Sequence, residues 1–304
     1  MRDLTSITRT PGLPILSAYS EDERPRIHPQ WLRLPLAGIL SAAAPGLGQL
    51  YNGQFAKALC LAAIFPALFL AAGFTRVLLS FSGLIASILV TLIWRIVVVL
   101  DALIVAWREP RRIRAIPVNL NIAKISLIAL LAFLPSPERF LQYFPYFRAY
   151  SVTSDSMCPT LCPDDNFVVD ASFFREHAPS RGDMVVFLRA GGDIISVKRI
   201  VGLPGDLVSG FGAGEILVNE QPLHFPFLTQ SCGKPSPIPD FSSEKPFDPI
   251  TVPKEAFFVI GDFRTHSYDS RESSFGFVRR SELLGKPKYI YWSIDRSRIG
   301  CQLP

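Results

Sequence analysis

Residues 194–206 read Ile194-Ile195-Ser196-Val197-Lys198-Arg199-Ile200-Val201-Gly202-Leu203-Pro204-Gly205-Asp206. Ile194 to Val197 is a short apolar run and Pro204-Gly205-Asp206 is a turn signal, so the stretch predicts a strand and then a tight turn. Lys198 is the anomaly. An apolar strand disfavours an ammonium group by desolvation, and a purely structural role leaves that cost unexplained. The same texture continues outward. Phe167-Val168-Val169, Met184-Val185-Val186-Phe187, Glu215-Ile216-Leu217-Val218-Asn219, Ala256-Phe257-Phe258-Val259-Ile260 and Tyr289-Ile290-Tyr291-Trp292 read as strands. Asp164-Asp165-Asn166, Arg181-Gly182-Asp183 and Gly191-Gly192-Asp193 read as turns. Many short strands with few helical periods predict an all-β domain over residues 146–304. Residues 221–254 are rich in Pro and Ser and read as a long excursion from it.

The N-terminal half has a different character. Apolar residues make up 49% of the 304-residue chain and charged residues 19%, which excludes disorder. The excess lies between Leu34 and Leu134. Ala56 to Phe74, Leu84 to Ala106 and Ile116 to Leu134 are each long and apolar enough to cross a bilayer as a helix. The run from Leu34 stops at Ala44, before Pro45-Gly46-Leu47-Gly48, and predicts an interfacial or re-entrant segment. Arg108, Arg111, Arg112 and Arg114 share one short loop, which places that loop in the cytoplasm, and Arg24, Arg26 and Arg33 place the N-terminus there too. The expectation is a cytoplasmic segment over 1–33 and a transmembrane helical region over 34–135. Its three spans, 56–74, 84–106 and 116–134, deliver the β domain to the extracytoplasmic side. Residues 1–30 lack the pattern of a removable signal peptide. Arg95 and Asp101 are costly in lipid and are expected to face protein.

The formal net charge is +5. No basic run is interleaved with aromatics, so nucleic acid is not expected as a partner. The five cysteines are Cys60, Cys158, Cys162, Cys232 and Cys301. No His or Cys cluster completes a zinc site, and neither a metal nor another cofactor is expected. The odd count forbids full pairing. A disulfide among the last four stands open beside free thiols.

Ser154-Asp155-Ser156-Met157-Cys158-Pro159-Thr160-Leu161 is a hydroxyl-rich loop before a strand. A serine nucleophile needs a base to take its proton. His28 falls on the cytoplasmic side, and His177, His224 and His266 sit in no nucleophile–base–acid pattern. A lysine held neutral by an apolar site is the alternative, and Lys198 fits it.

Here a family resemblance emerges. Ser154-x-Ser156-Met157-x-Pro159-Thr160-Leu161 resembles the nucleophile box of bacterial type I signal peptidases. Arg181-Gly182-Asp183-Met184-Val185-Val186-Phe187 is similar to their next box. Val197-Lys198-Arg199-Ile200-Val201-Gly202-Leu203-Pro204-Gly205-Asp206 is similar to their lysine box. Gly261-Asp262-Phe263-Arg264-Thr265-His266-Ser267-Tyr268-Asp269-Ser270-Arg271 resembles their C-terminal box. The four occur in the family's order. Phe263 and His266 depart from the commonest residues, as does Thr153. Pro45-Gly46-Leu47-Gly48-Gln49-Leu50-Tyr51-Asn52-Gly53, with Trp94 and Asp101, also resembles the small membrane modules called TM2-like.

The resemblance implies a membrane-anchored serine endopeptidase with a signal-peptidase-like β domain and a second β region inserted at 207–255. It implies Ser156 as nucleophile and Lys198 as general base. Ser154 would complete the oxyanion hole and Ser267 would hydrogen-bond and orient Lys198. Asp269 and Arg271 would pair behind the site, and Asp262 and Arg264 would brace the same loop. Tyr150, Val152 and Val197 would line shallow pockets for small side chains at −1 and −3 of the cleavage site, or are plain strand core. Exported preproteins and the lipid bilayer are the implied partners, and the cell membrane, with several spans, the implied location. A catalytically silent binding or assembly module of the same fold is the alternative. The self-cleaving repressors, another Ser–Lys class, carry no membrane spans.

Overall fold

The computed structural model describes residues 30–108, 144, 146–189, 194–212, 215–223 and 246–304. The expected span 116–134, Arg111, Arg112, Arg114 and His224 lie outside them.

The helical part opens with α1 (Gln30–Ala43), α2 (Leu47–Tyr51), α3 (Phe55–Phe74) and α4 (Phe81–Arg108). The first apolar run breaks at Gly46, whose φ of 95° lies in the left-handed region that favours glycine. The segment is therefore bent, not one straight span. At 1.5 Å per residue, α4 is about 42 Å long, against about 30 Å of hydrocarbon core. Among the described residues it is the one helix marked by length and composition as able to cross a membrane. Ile88, Leu89, Leu92, Ile93, Ile96 and Val97 are exposed along it, as lipid-facing side chains would be.

A polar knot ties the helices together. Gln49 is fully buried. Its Oε1 accepts from Ser41 Oγ at 3.2 Å, and its Nε2 donates to the Val98 carbonyl at 2.8 Å and to Asp101 at 3.1 Å. Lys57 pairs with the other Asp101 oxygen at 2.6 Å. Asp101 thus faces protein as expected. Arg95 is exposed on α4 among the described residues.

The β domain contains eleven described strands. They are β1 (Phe147–Ser151), β2 (Asn166–Asp170), β3 (Met184–Leu188), β4 (Ile195–Gly202), β5 (Leu207–Gly212), β6 (Glu215–Val218), β7 (Gln221–Pro222), β8 (Phe247–Thr251), β9 (Ala256–Ile260), β10 (Val278–Arg279) and β11 (Leu283–Trp292). Short helix α5 (Phe173–Glu176) follows β2. Seven strands form one antiparallel sheet in the order β1-β2-β11-β3-β4-β9-β10, and four form a second in the order β7-β6-β5-β8. Val201, Val208, Ile216, Val252, Phe258 and Ile260 make the core between them.

The stretch read as an excursion contains β7 and β8. Both are edge strands of the second sheet, and each carries a proline, Pro222 and Pro249. Proline lacks the ladder donor and is tolerated at such edges or at a bulge, the latter being the place of Pro287 in central β11. That is why the pattern escapes a sequence reading.

The short turn between α3 and α4 docks on the β domain. Leu78 and Leu79 pack with Phe144, Phe147, Val168 and Tyr289, Arg76 pairs with Glu176, and Tyr289 Oη donates to the Leu78 carbonyl at 2.7 Å. Burial pushes the Tyr289 phenol up, which keeps it a donor. Removing the hydroxyl would leave a buried carbonyl unpaired. Tyr289→Phe is expected to lower stability by about 1–3 kcal/mol, measured by denaturant unfolding of the detergent-solubilised chain.

Candidate active site

β4 runs between β3 and β9, with Lys198 opposite Val185 and Arg199 opposite both Met184 and Ile260. Successive strand residues point to opposite faces, so two adjacent cations enter two different environments. Lys198 is 5% exposed and Arg199 is fully buried.

On one face, Lys198 Nζ lies 2.6 Å from Ser156 Oγ, and Ser156 is itself buried. The Lys198 pKa is lowered to about 8, chiefly because burial disfavours the ammonium. Asp269 opposes the shift, Arg271 adds to it, and Asp262 and Asp155 oppose it. The pair joins a hydroxyl to an amine able to lose its proton near neutral pH. Ser154 is exposed beside it, and its Oγ accepts from the Ser156 N–H at 3.2 Å. Two groups that can point at a developing oxyanion are therefore adjacent.

On the other face, Arg199 Nε and Nη2 reach the two carboxylate oxygens of Asp262 at 2.8 and 2.6 Å. Thr160 Oγ1 donates to the same carboxylate at 2.5 Å. Arg264, in the loop of Asp262, is buried, and its carbonyl accepts from Arg271 Nη2 at 2.6 Å. Asp269 pairs with Arg271 at 2.8 Å and accepts from the Gly261 N–H at 2.9 Å.

Ser267 requires a correction. Its Oγ is buried with no hydrogen-bond partner, so the expected bond to Lys198 is not made. The hydroxyl lies close to Gly261 instead. A Cβ at Gly261 would collide with both Ser267 Oγ and the Ser156 oxygen, which explains a glycine at this close approach. Tyr150, Val152 and Val197 are partly buried and pack against the cluster of Met157, Leu161, Phe167, Val169, Met184 and Val186. Met157 follows Ser156, so these side chains border the site.

Several braces escape the sequence reading. Arg298 reaches Asp165 at 2.7 Å and the Pro159 and Thr160 carbonyls at 3.2 and 3.1 Å. Cys158 and Cys162 are disulfide-bonded within the serine loop. Cys301 is also disulfide-bonded and Cys60 is free. The signal for Arg199 is its place beside Lys198: a buried cation at the next strand position demands a carboxylate. Arg298 and Asp165 are too far apart in sequence for any such cue.

The family model described as "Signal peptidase, peptidase S26" matches residues 120–292. Signal peptidase I of Leptolyngbya laminosa is 33% identical over 157 residues, covering 49% of this chain and 70% of that protein. Signal peptidase I S of Bacillus subtilis is 31% identical over 152 residues, covering 50% of this chain and 80% of its own. A crystal structure of a signal peptidase I from Enterococcus faecalis is 26% identical, covering 36% of this chain and 97% of that one, with a TM-score of 0.27.

The Arg199–Asp262 pair is enclosed, so removing one partner strands the other charge. Arg199→Met is expected to destabilise the β domain by about 3–5 kcal/mol, and Arg199→Met/Asp262→Leu to recover part of the loss. Denaturant unfolding of both variants against the unaltered chain measures this.

Proposed function

The chain belongs to the signal peptidase family, peptidase S26, and we propose that it is a type I signal peptidase working through a Ser156–Lys198 dyad. It is a serine endopeptidase that removes N-terminal signal peptides from exported preproteins. Cleavage follows a small residue at −1, with a second small residue preferred at −3. The observation that carries the dyad is the 2.6 Å approach of a buried lysine amine to a buried serine hydroxyl. A silent module has no need of a cation desolvated against a hydroxyl.

The geometry supports the following steps. In its neutral form Lys198 accepts the Ser156 proton as Oγ attacks the scissile carbonyl. The oxyanion takes hydrogen bonds from the Ser156 N–H and the Ser154 hydroxyl, which act on charge present only in the transition state. For this the Ser156 N–H must leave Ser154 Oγ, its partner here. Lys198 then protonates the leaving amine. The acyl-enzyme is hydrolysed by a water that the same amine deprotonates. Asp269 and Arg271 hold the loop behind Lys198, with Asp262 and Arg264 bracing it. Tyr150, Val152 and Val197 border shallow apolar pockets that admit small side chains. The preprotein binds extended, pairing with strand edges through its main chain.

The enzyme is anchored in the cell membrane by several spans, 56–74, 84–106 and 116–134, after a cytoplasmic segment 1–33. Its catalytic domain, 146–304 with the insertion 207–255, lies on the extracytoplasmic side. Two observations support this orientation. The α3–α4 turn lies against the β domain, which puts both on one side of the bilayer. Arg108 closes α4 at its other end, where the arginine-rich loop begins.

The mechanism fixes the response to pH. With a pKa of about 8, about one Lys198 in ten is neutral at pH 7, against about one in three thousand for an ordinary lysine at 10.5. Cleavage of a synthetic preprotein by the purified chain is expected to rise with pH through an apparent pKa near 8. Ser156→Ala and Lys198→Ala are expected to stop it. Lys198→Arg should be equally inactive, because a guanidinium keeps its proton. An active Lys198→Arg variant would remove the general-base role. Replacing Ala by Phe at −1 of the preprotein should nearly stop cleavage, and efficient cutting after Phe would refute the pocket assignment.

A further inference from the structure

Three contacts join the serine loop to the loop of Asp262. Thr160 Oγ1 bonds the Asp262 carboxylate, and the Phe263 N–H donates to the Ser156 carbonyl at 3.0 Å. The third is a side-chain pair between Asp155 and His266. His266 Nδ1 lies 3.0 Å from Asp155 Oδ2, and the His266 ring stacks on Phe263 with centroids 4.2 Å apart and planes 20° from parallel. Phe263 and His266 are two of the residues that depart from the family pattern, and here the departures act together. Phe263 supplies the platform, His266 stands on it, and Asp155 receives the imidazole. Asp155 sits directly between Ser154 and Ser156.

We propose that Asp155 and His266 are a positioning pair, which clips the segment carrying the nucleophile and the oxyanion hydroxyl to the loop that backs Lys198. The inference rests on the Ser156–Lys198 reading and adds to it. Phe263 bonds the Ser156 carbonyl, so a shift of this loop is transmitted to the residue whose own N–H faces the oxyanion. The pair is partly exposed, with side-chain exposures of 59% for His266 and 46% for Asp155, so it contributes little to overall stability. Its contribution is geometric, and misplacement by about 1 Å can cost as much as 100-fold in rate. Asp155 has a second effect that a mere tether lacks. The charged groups acting on Lys198 are Asp269, Arg271, Asp262 and Asp155, and the Asp155 carboxylate favours the ammonium form.

The test is preprotein cleavage as a function of pH by the full-length chain and its Asp155→Asn, Asp155→Glu, His266→Ala and Asp155→Asn/His266→Ala variants. Asp155→Asn is expected to lower kcat about tenfold with KM little changed, and to move the acid limb of the profile to lower pH. Asp155→Glu should recover most of the rate. The double variant should be no slower than the slower single one, because both changes open the same contact. An unchanged kcat in Asp155→Asn overturns the proposal whatever the limb does. So does a fall in kcat with the limb unmoved, an Asp155→Glu variant as slow as Asp155→Asn, or a double variant whose loss is the product of the single losses. An unaltered chain that cleaves no preprotein contradicts the Ser156–Lys198 reading itself, and this inference with it.

Discussion

Everything around the site serves the burial of one amine. Lys198 is brought into an apolar sheet, where its pKa falls from 10.5 to about 8, a difference of about 3 kcal/mol between its two protonation states. The unfolded chain holds that proton more tightly than the folded one. Folding stability therefore rises with pH between about 8 and 10.5 and loses this contribution below. In the proposed mechanism the cost is incurred at the position where Ser156 needs a neutral base. A more exposed lysine would stabilise the fold and leave the serine protonated and inert.

The neighbouring charges make that burial specific. Arg199 occupies the next position of the same strand and is neutralised by Asp262 on the opposite face, so two cations on one strand have opposite fates. Asp262 also takes the Thr160 hydroxyl, while Arg298 spans Asp165 and the Pro159 and Thr160 carbonyls. The serine loop is thus held at its far end by two buried ion pairs from distant parts of the chain. Such pairs are costly to break, which favours one loop conformation over its alternatives. At the near end the partly exposed Asp155–His266 contact completes the hold. At the helical end, Leu78 and Leu79 set the helices against β1, β2 and β11 through apolar packing and the Tyr289 hydroxyl.

What the sequence made legible follows from range and pattern. Central strands such as β3 and β9 are short apolar runs between turns and stand out unaided. β8 does not, because Pro249 breaks the pattern and only the edge position in the folded sheet makes it tolerable. Ser156 and Lys198 are recognisable because four boxes occur in order and because a lysine in an apolar strand needs a reason. Their 2.6 Å contact bridges 42 residues, which no local pattern specifies. The partner of Asp262 is illegible for the same reason, because Arg199 lies 63 positions away. Ser267 shows the opposite limit. Its place in a family box implies a bond to the lysine, but side-chain direction depends on how closely Gly261 lets two backbones approach, which is a property of the packed structure.

The central claim is that burial in this sheet, and not a neighbouring charge, makes Lys198 a base. The direct measurement is the protonation of that one amine, followed by NMR of the Lys198 side-chain carbon beside Nζ in isotopically labelled protein, with Lys198→Arg to assign the resonance. The account predicts a titration midpoint near 8, against about 10.4 for a lysine free in water. A Lys198 midpoint at the free-lysine value would contradict it.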